Sequence, residues 1–139
     1  MNIERFYKIL FLSSLILCAF ITPAASNAAG SVLISEIMYD LAGSDADHEW
    51  VEIYNAGSES AVIVEGSGDN SWRFNDGSNH ILKLVQGSLT LAPGGVAVLV
   101  STSTTFLAEH PSFSGTLIDT TMSLNNTSDT LKLSSDKGA

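Results

Sequence analysis

Hydrophobic and polar side chains alternate most regularly in the run EWVEIYN at residues 49–55. The aliphatic Val51 and Ile53 are separated and followed by Glu52 and Tyr54, which is the two-residue period of a strand with one buried face. We therefore predict a strand near the centre of a sheet, with Val51 and Ile53 in the core.

Residues 32–39 are the predicted first strand. Val32 and Ile34 share one face, but Ile37 falls out of step with them across Ser35 and Glu36. We predict a β-bulge at that point, because one extra residue restores the alternation of faces. The polar loop that follows is short, which favours antiparallel pairing with the next strand.

Other apolar or β-branched runs lie between Gly, Asn and Asp residues, as short strands do. The predicted strands are residues 60–64, 71–74, 81–85, 96–100, 116–119 and 130–133. The run 96–100 is almost wholly apolar, which predicts a central strand. Residues 104–109 are predicted to form one helical turn, capped by Ser103 or Thr104 and ended by Pro111. The regular spacing of the strands predicts an all-β sandwich.

Residues 1–28 have the features of an export signal. Arg5 and Lys8 precede an apolar run at residues 9–21, and small residues then lead to a predicted cleavage after Ala28. The run is shorter than the ~20 residues of a membrane-spanning helix. We expect a secreted or cell-surface protein that meets the membrane only through this signal.

The expected mature chain is strongly acidic. The whole chain has 6 Lys and Arg against 15 Asp and Glu, and residues 1–28 hold two and one of these, so the remainder carries 4 − 14 = −10. Such a surface repels phosphate backbones, which argues against nucleic-acid binding. The one cysteine, Cys18, follows Leu17 rather than the small residue of a lipoprotein signal. The mature domain is therefore expected to have no disulfide and no cysteine-based site.

Four carboxylates close together in sequence form a candidate calcium loop, since calcium binds six to eight oxygens. They are Asp40, Asp45, Asp47 and Glu49. An EF-hand loop has Gly at its sixth position, whereas the sixth residue counted from Asp45 is Trp50. We favour a solvated acidic turn, and no cofactor is expected.

Other residues that can support catalysis do not form a known motif. Glu36 and Glu52 lie on strands predicted to pair, yet no neighbouring base or cleft is predicted, and we favour hydrogen-bonding roles. His48, His80 and His110 lack the spacing of a zinc motif, and no Gly-x-Ser-x-Gly is present. No catalytic residue is assigned, and an enzyme is not expected in these residues.

Four aromatic residues on two predicted strands offer a platform for a sugar or a peptide. They are Trp50, Tyr54, Trp72 and Phe74. Aromatic side chains also fill the cores of sandwiches, and we favour packing as their role.

Taken in order, these segments resemble the lamin tail domain of secreted prokaryotic proteins. The resemblance covers residues 31–139: ISEIMY at 34–39, EWVEIYN at 49–55, an aromatic strand at Trp72, LAPGG at 91–95 and LNNTSDTLKL at 124–133. The residues that carry it are Glu36, Trp50, Glu52, Asn55, Trp72, Pro93 and Gly94. Residues 62–65 depart from the family's Leu-Ser-Gly-Trp pattern, and the family's closing strand is not found before Ala139.

The resemblance implies an immunoglobulin-like sandwich that is a non-catalytic module for protein interaction or surface attachment. One alternative is the accessory domain of a longer secreted metal-dependent hydrolase, a nuclease or phosphatase, whose catalytic part lies beyond Ala139. The other alternative is an adhesion module stabilised by calcium. A missing closing strand is expected to leave an open sheet edge able to pair with another chain. The partner and the oligomeric state remain open at this stage.

Overall fold

The core of the molecule lies between a five-stranded and a three-stranded sheet. The computed structural model describes residues 32–41 and 43–137, and the predicted export signal lies outside them. The elements are β1 Val32–Met38, β2 Trp50–Asn55, β3 Ala61–Val62, β4 Arg73–Asn75, β5 Asn79–Ile81, β6 Lys83–Gln86, β7 Thr90–Leu91, β8 Val96–Val100, α1 Ser103–Glu109, β9 Thr116–Asp119 and β10 Lys132–Ser134. The predicted all-β sandwich is confirmed.

The larger sheet has the order β1-β2-β8-β9-β6, and the smaller has the order β10-β4-β5. β3 and β7 form a separate two-stranded ribbon. Neighbouring strands of the larger sheet are antiparallel except β8 and β9, which are parallel and joined through α1. β8 is the middle strand of that sheet, as its apolar sequence predicts.

β1 and β2 pair antiparallel, and the register shifts between Ile34 and Glu36. The predicted bulge is therefore confirmed. Ile34 lies opposite Ile53 before the bulge, and Glu36 lies opposite Glu52 after it. The extra residue returns Ile37 to the face of the sheet that carries Val51.

The two faces of the larger sheet bury different sets of side chains. Val51 and Ile53 are fully buried in the main core with Leu99, Trp72 and Phe74, which confirms the predicted faces of β2. On the other face, α1 and the loop after it cover one end of the sheet. This second cluster contains Trp50, Val98, Val100, Phe106, Leu107, Phe113 and Leu117.

Two predicted strands differ in the structure. The prediction of one strand at 81–85 is wrong, because the chain crosses between sheets there: β5 pairs with β4 and β6 pairs with β9. Leu82 lies between β5 and β6 and is fully buried in the core. It occupies the point where the chain passes from one sheet to the other. The strand predicted at 60–64 is reduced to β3, because Ile63 turns into the core.

The helix begins one residue earlier than predicted, with Thr102 at its N-cap position and without a side-chain cap bond from that residue. The carboxylate of Asp119 on β9 accepts the backbone N–H of Ser103 at 2.9 Å and its hydroxyl at 3.0 Å. A neighbouring strand thus supplies the acceptor that a capping residue normally provides. The helix ends before Pro111, as predicted.

Candidate functional site

After β9 the chain runs along one end of the sandwich without forming a strand until β10. Four consecutive residues of this stretch each donate an N–H to a different carboxylate. Ser123 N donates to Asp76 (2.8 Å), Leu124 N to Glu49 (2.9 Å), Asn125 N to Asp129 (3.3 Å) and Asn126 Nδ2 to Asp45 (2.6 Å). We call residues 123–131 the anchored segment, because these carboxylates hold its first turn in place.

Glu49 is the most buried of these acceptors, with 5% of its surface exposed. Burial raises the pKa of its carboxyl group, and the backbone N–H of Leu124 opposes that change. The negative charges of Asp45, Asp76 and Asp129 raise the pKa further. Glu49 therefore accepts hydrogen bonds in a place that disfavours its charge.

Asp76 belongs to the turn between β4 and β5. Burial acts to raise the pKa of its carboxyl group, but hydrogen bonds from Ser123 and His80, with the charge of His80, outweigh burial and leave the pKa lowered. His80 Nε2 lies 2.7 Å from Asp76 Oδ1, and His80 Nδ1 lies 2.8 Å from Thr121 Oγ1. This histidine thus links the turn to the chain leading into the anchored segment.

A groove of about 270 Å³ separates the end of β1 from the anchored segment. Ile37 and Tyr39 line the side formed by β1, which we call the floor, and 42% and 45% of their surfaces are exposed. The opposite wall consists of Leu124, Asn125, Thr127, Ser128, Asp129 and Leu131. Ile37, Tyr39, Leu124 and Leu131 supply apolar surface, and the other four lining residues are polar. Apolar surface combined with a few polar groups is the usual composition of a binding site.

The predicted calcium ligands do not converge on one point. Asp45 accepts from Asn126, Glu49 accepts from Leu124, and Asp47 Oδ1 accepts the hydroxyl of Thr102 at 2.8 Å. Asp40 is exposed, two residues beyond the end of β1. Among residues 32–41 and 43–137, no group of three or more His, Cys, Asp or Glu side chains is placed to hold a metal ion.

Glu36 and Glu52 do face each other in the register of β1 and β2. Glu52 Oε1 accepts the hydroxyl of Ser35 at 2.8 Å, which is the kind of hydrogen-bonding role that the sequence favoured. The three histidines lie apart: His48 Nδ1 is 2.7 Å from Glu109 Oε1, His80 contacts Asp76, and His110 packs against Phe106.

The four aromatic residues are divided among three environments. Trp72 and Phe74 are buried in the main core, Trp50 packs under α1, and Tyr54 is 38% exposed on the outer face of β2. No platform joins them, and the packing role is confirmed for Trp72 and Phe74.

Asn55 joins the segments that carry the family resemblance. It is fully buried, and its Nδ2 donates to the carbonyls of Glu59 (2.8 Å) and Leu91 (2.9 Å). Its Oδ1 accepts the N–H of Gly57 at 3.0 Å. Its backbone exchanges bonds of 2.9 Å with Gly94 and Gly95. Gly94 follows Pro93 with a φ of 75°, which a residue with a Cβ adopts at a cost.

The sequence analysis assigned no role to two residues that hold loops in the structure, Arg73 and Asp76. Arg73 is buried, and its guanidinium donates to the carbonyls of Gly66, Gly68, Ser71 and Trp72 at 2.8 to 3.0 Å. Asp76 reads as a turn residue, although it also holds the backbone of Ser123. The position of Arg73 between two aromatic residues is the one sequence signal for its role. No local pattern indicates the bond between Asp76 and Ser123.

A family model described as Lamin Tail Domain matches residues 25–139. No match was found among curated proteins or among solved structures. In the described part of the chain, no helix has the length and apolar character needed to cross a membrane.

Proposed function

The chain belongs to the lamin tail domain family of immunoglobulin-like domains, and we propose that it is a secreted, non-catalytic module that binds a protein partner or attaches to the cell surface. The observation that carries this proposal is the groove beside β1. Ile37 and Tyr39 keep 42% and 45% of their surfaces exposed there. A groove in which exposed apolar side chains lie next to polar groups is a feature of binding surfaces.

The carboxylates also favour binding over catalysis. Asp45, Asp47 and Glu49 each accept a hydrogen bond from a different part of the chain. A catalytic pair of carboxyl groups needs a shared reacting atom between them. These groups instead hold loops, and the sandwich is the scaffold on which the groove is built.

Secretion is supported by the sequence of residues 1–28, in which a basic start, an apolar run and small residues precede the expected cleavage after Ala28. Residues 29–139 contain no cysteine, so the domain folds without a disulfide.

The proposal is tested by expressing the full chain with a C-terminal tag in a bacterial host. We expect a tagged product outside the cytoplasm whose intact mass corresponds to a start at Ala29. An unprocessed product confined to the cytoplasm would overturn secretion. The purified product is then assayed against phosphodiester and glycoside substrates, with Glu36→Gln and Glu52→Gln as controls. Turnover that either substitution abolishes would overturn the non-catalytic role.

A further inference from the structure

We infer that the groove between β1 and the anchored segment binds an extended, basic segment of a partner protein, which adds to the sheet as a strand beside β1. This inference rests on the proposed binding function and specifies its surface and its ligand. Four observations carry it: the free edge of β1, the exposed floor of the groove, the backbone of the anchored segment and the distribution of charge.

β1 is the first strand in the order of the larger sheet. Among the described residues it pairs only with β2, so its other edge is open. The open edge of a strand presents backbone donors and acceptors at the spacing that an added strand matches. The edge runs into the groove at its C-terminal end, where Ile37 and Tyr39 lie.

The floor of the groove is a continuation of the core-facing surface of the sheet. Ile37 lies opposite Val51, which is fully buried, yet 42% of Ile37 is exposed. Tyr39 is two residues further along the chain, and Leu124 and Leu131 contribute from the opposite wall. An added strand directs every second side chain toward such a floor, so its apolar residues would complete a core that the described chain leaves open at this corner.

The backbone of the anchored segment is held in place by carboxylates. The N–H groups of Leu124 and Asn125 are bonded to the carboxylates of Glu49 and Asp129. The carboxylates fix the segment beforehand, which lowers the entropic cost of binding.

The charge around the groove indicates a basic partner. None of the residues that line the groove is Lys or Arg, and Asp129 is the one charged residue among them. Asp40 is exposed next to Tyr39, whereas Glu36 lies opposite Glu52 and faces the other side of the sheet. The chain as a whole carries a charge of −9. Two copies meeting edge to edge would bring together two chains of the same strong negative charge, which disfavours a homodimer and favours a cationic ligand.

The test uses the full chain, immobilised through its tag, and a library of displayed random peptides. We expect enriched peptides that alternate Lys or Arg with apolar residues, and whose synthetic versions bind more weakly as salt is raised from about 0.05 to 0.5 M. Every second backbone N–H of an added strand points toward β1, so two peptides are compared, each methylated on one alternate set of backbone nitrogens. Methylation of the set that faces β1 should abolish binding, since strand addition needs those donors.

Two substitutions on the same strand distinguish this groove from the rest of the surface. Ile37→Asn places a polar group in the floor and should weaken the peptide about tenfold or more. Leu33→Asn is the matched control, because Leu33 is 52% exposed on the opposite face of β1, and it should change the affinity less than about twofold. Tyr39→Ser is the second groove variant, should Ile37→Asn lower the melting temperature.

Peptides that bind Ile37→Asn and Tyr39→Ser as tightly as the unchanged protein would overturn the groove while leaving a binding module elsewhere on the surface. Enrichment of acidic peptides, or of none, would also overturn the inference. A dimer in size-exclusion chromatography that Ile37→Asn dissociates would make a second copy the occupant. Turnover in the substrate assays would remove the proposed function itself.

Discussion

Glu49 accepts the backbone N–H of Leu124 with both carboxylate oxygens, at 2.9 and 3.0 Å, although 75 positions separate the two residues in sequence. Both residues are buried. This bond joins the start of β2 to the anchored segment and therefore fixes one wall of the groove relative to the larger sheet.

Glu49 should be replaceable by an isostere but not by a hydrocarbon. Glu49→Gln keeps an oxygen acceptor for Leu124 and removes a charge that burial disfavours, so the free energy of unfolding should change by less than about 1 kcal/mol at pH 7. Glu49→Leu keeps the volume but leaves the N–H of Leu124 unpaired, at a cost of about 1–3 kcal/mol. Urea denaturation measures both. Equal losses would mean that the charge itself is required.

The pH dependence of stability should differ in sign between Glu49 and Asp76. The raised pKa of Glu49 means that the folded state binds the proton of this carboxyl group more tightly than the unfolded state does. The stability that results is fully present below the ordinary glutamate pKa and is lost as the pH rises through the pKa of Glu49 in the folded protein. The lowered pKa of Asp76 gives a contribution that is present above the ordinary aspartate pKa and lost as pH falls through the folded value.

Denaturation from pH 3 to 7 separates these effects. Relative to Glu49→Gln, the unchanged protein should gain free energy of unfolding as the pH falls from 7. Relative to Asp76→Asn, it should lose free energy of unfolding as the pH falls below about 4. Curves that stay parallel for all three proteins would contradict both assignments.

Asn55 should tolerate no change of its amide. Asn55→Asp keeps an acceptor for Gly57 but places a buried negative charge against the carbonyls of Glu59 and Leu91. We expect a loss of more than about 3 kcal/mol, because the carboxylate oxygen that replaces the Nδ2 group and both carbonyls would be left without a donor in the buried site. Asn70→Asp, at an exposed position, is the control and should stay within about 0.5 kcal/mol. Similar melting temperatures for the two variants would show that the bonds of Asn55 contribute little.

The alternation of hydrophobic and polar residues predicted the features that depend only on neighbouring positions in the sequence. The alternation around Val51 and Ile53 predicted which side of β2 is buried, and the parity of Ile37 predicted the bulge in β1. A bulge is encoded by the same two-residue period that it interrupts, so both could be derived without knowing a partner strand.

The site could not be derived in the same way. The bonds from Asp76 to Ser123 and from Glu49 to Leu124 join residues 47 and 75 positions apart, and no period or spacing encodes such a pair. Leu82 likewise belongs to an apolar run that reads as one strand, and only the position of the two sheets requires the chain to cross there. Contacts between residues far apart in the sequence determine the structure at these positions.

Calcium should leave the melting temperature unchanged. Asp45, Asp47 and Glu49 accept hydrogen bonds from three different parts of the chain, and gathering them around one ion would break those bonds. We expect the same melting temperature, within about 1 °C, in millimolar calcium and in excess chelator. A rise of several degrees that Asp45→Asn removes would instead establish the calcium-stabilised alternative.

The two faces of β2 should respond to substitution in opposite ways. Ile53 is fully buried between Ile34 and Ala97 on the neighbouring strands, so Ile53→Asp would bury an unpaired charge and should leave the protein unfolded at 25 °C. Ile53→Val, the control for position, should cost only about 0.5–1.5 kcal/mol.

Glu52→Gln should cost less than about 1 kcal/mol, because glutamine still accepts the hydroxyl of Ser35 and no longer repels Glu36 across the strand pair. Circular dichroism during thermal and urea unfolding compares the three variants. If Glu52→Gln lowered the free energy of unfolding more than the other two substitutions, the charge of Glu52 would have to make a stabilising interaction besides its hydrogen bond with Ser35. If it abolished partner binding without loss of stability, the outer face of β2 would have to belong to the binding surface, and the groove on the opposite side of β1 could not account for binding alone.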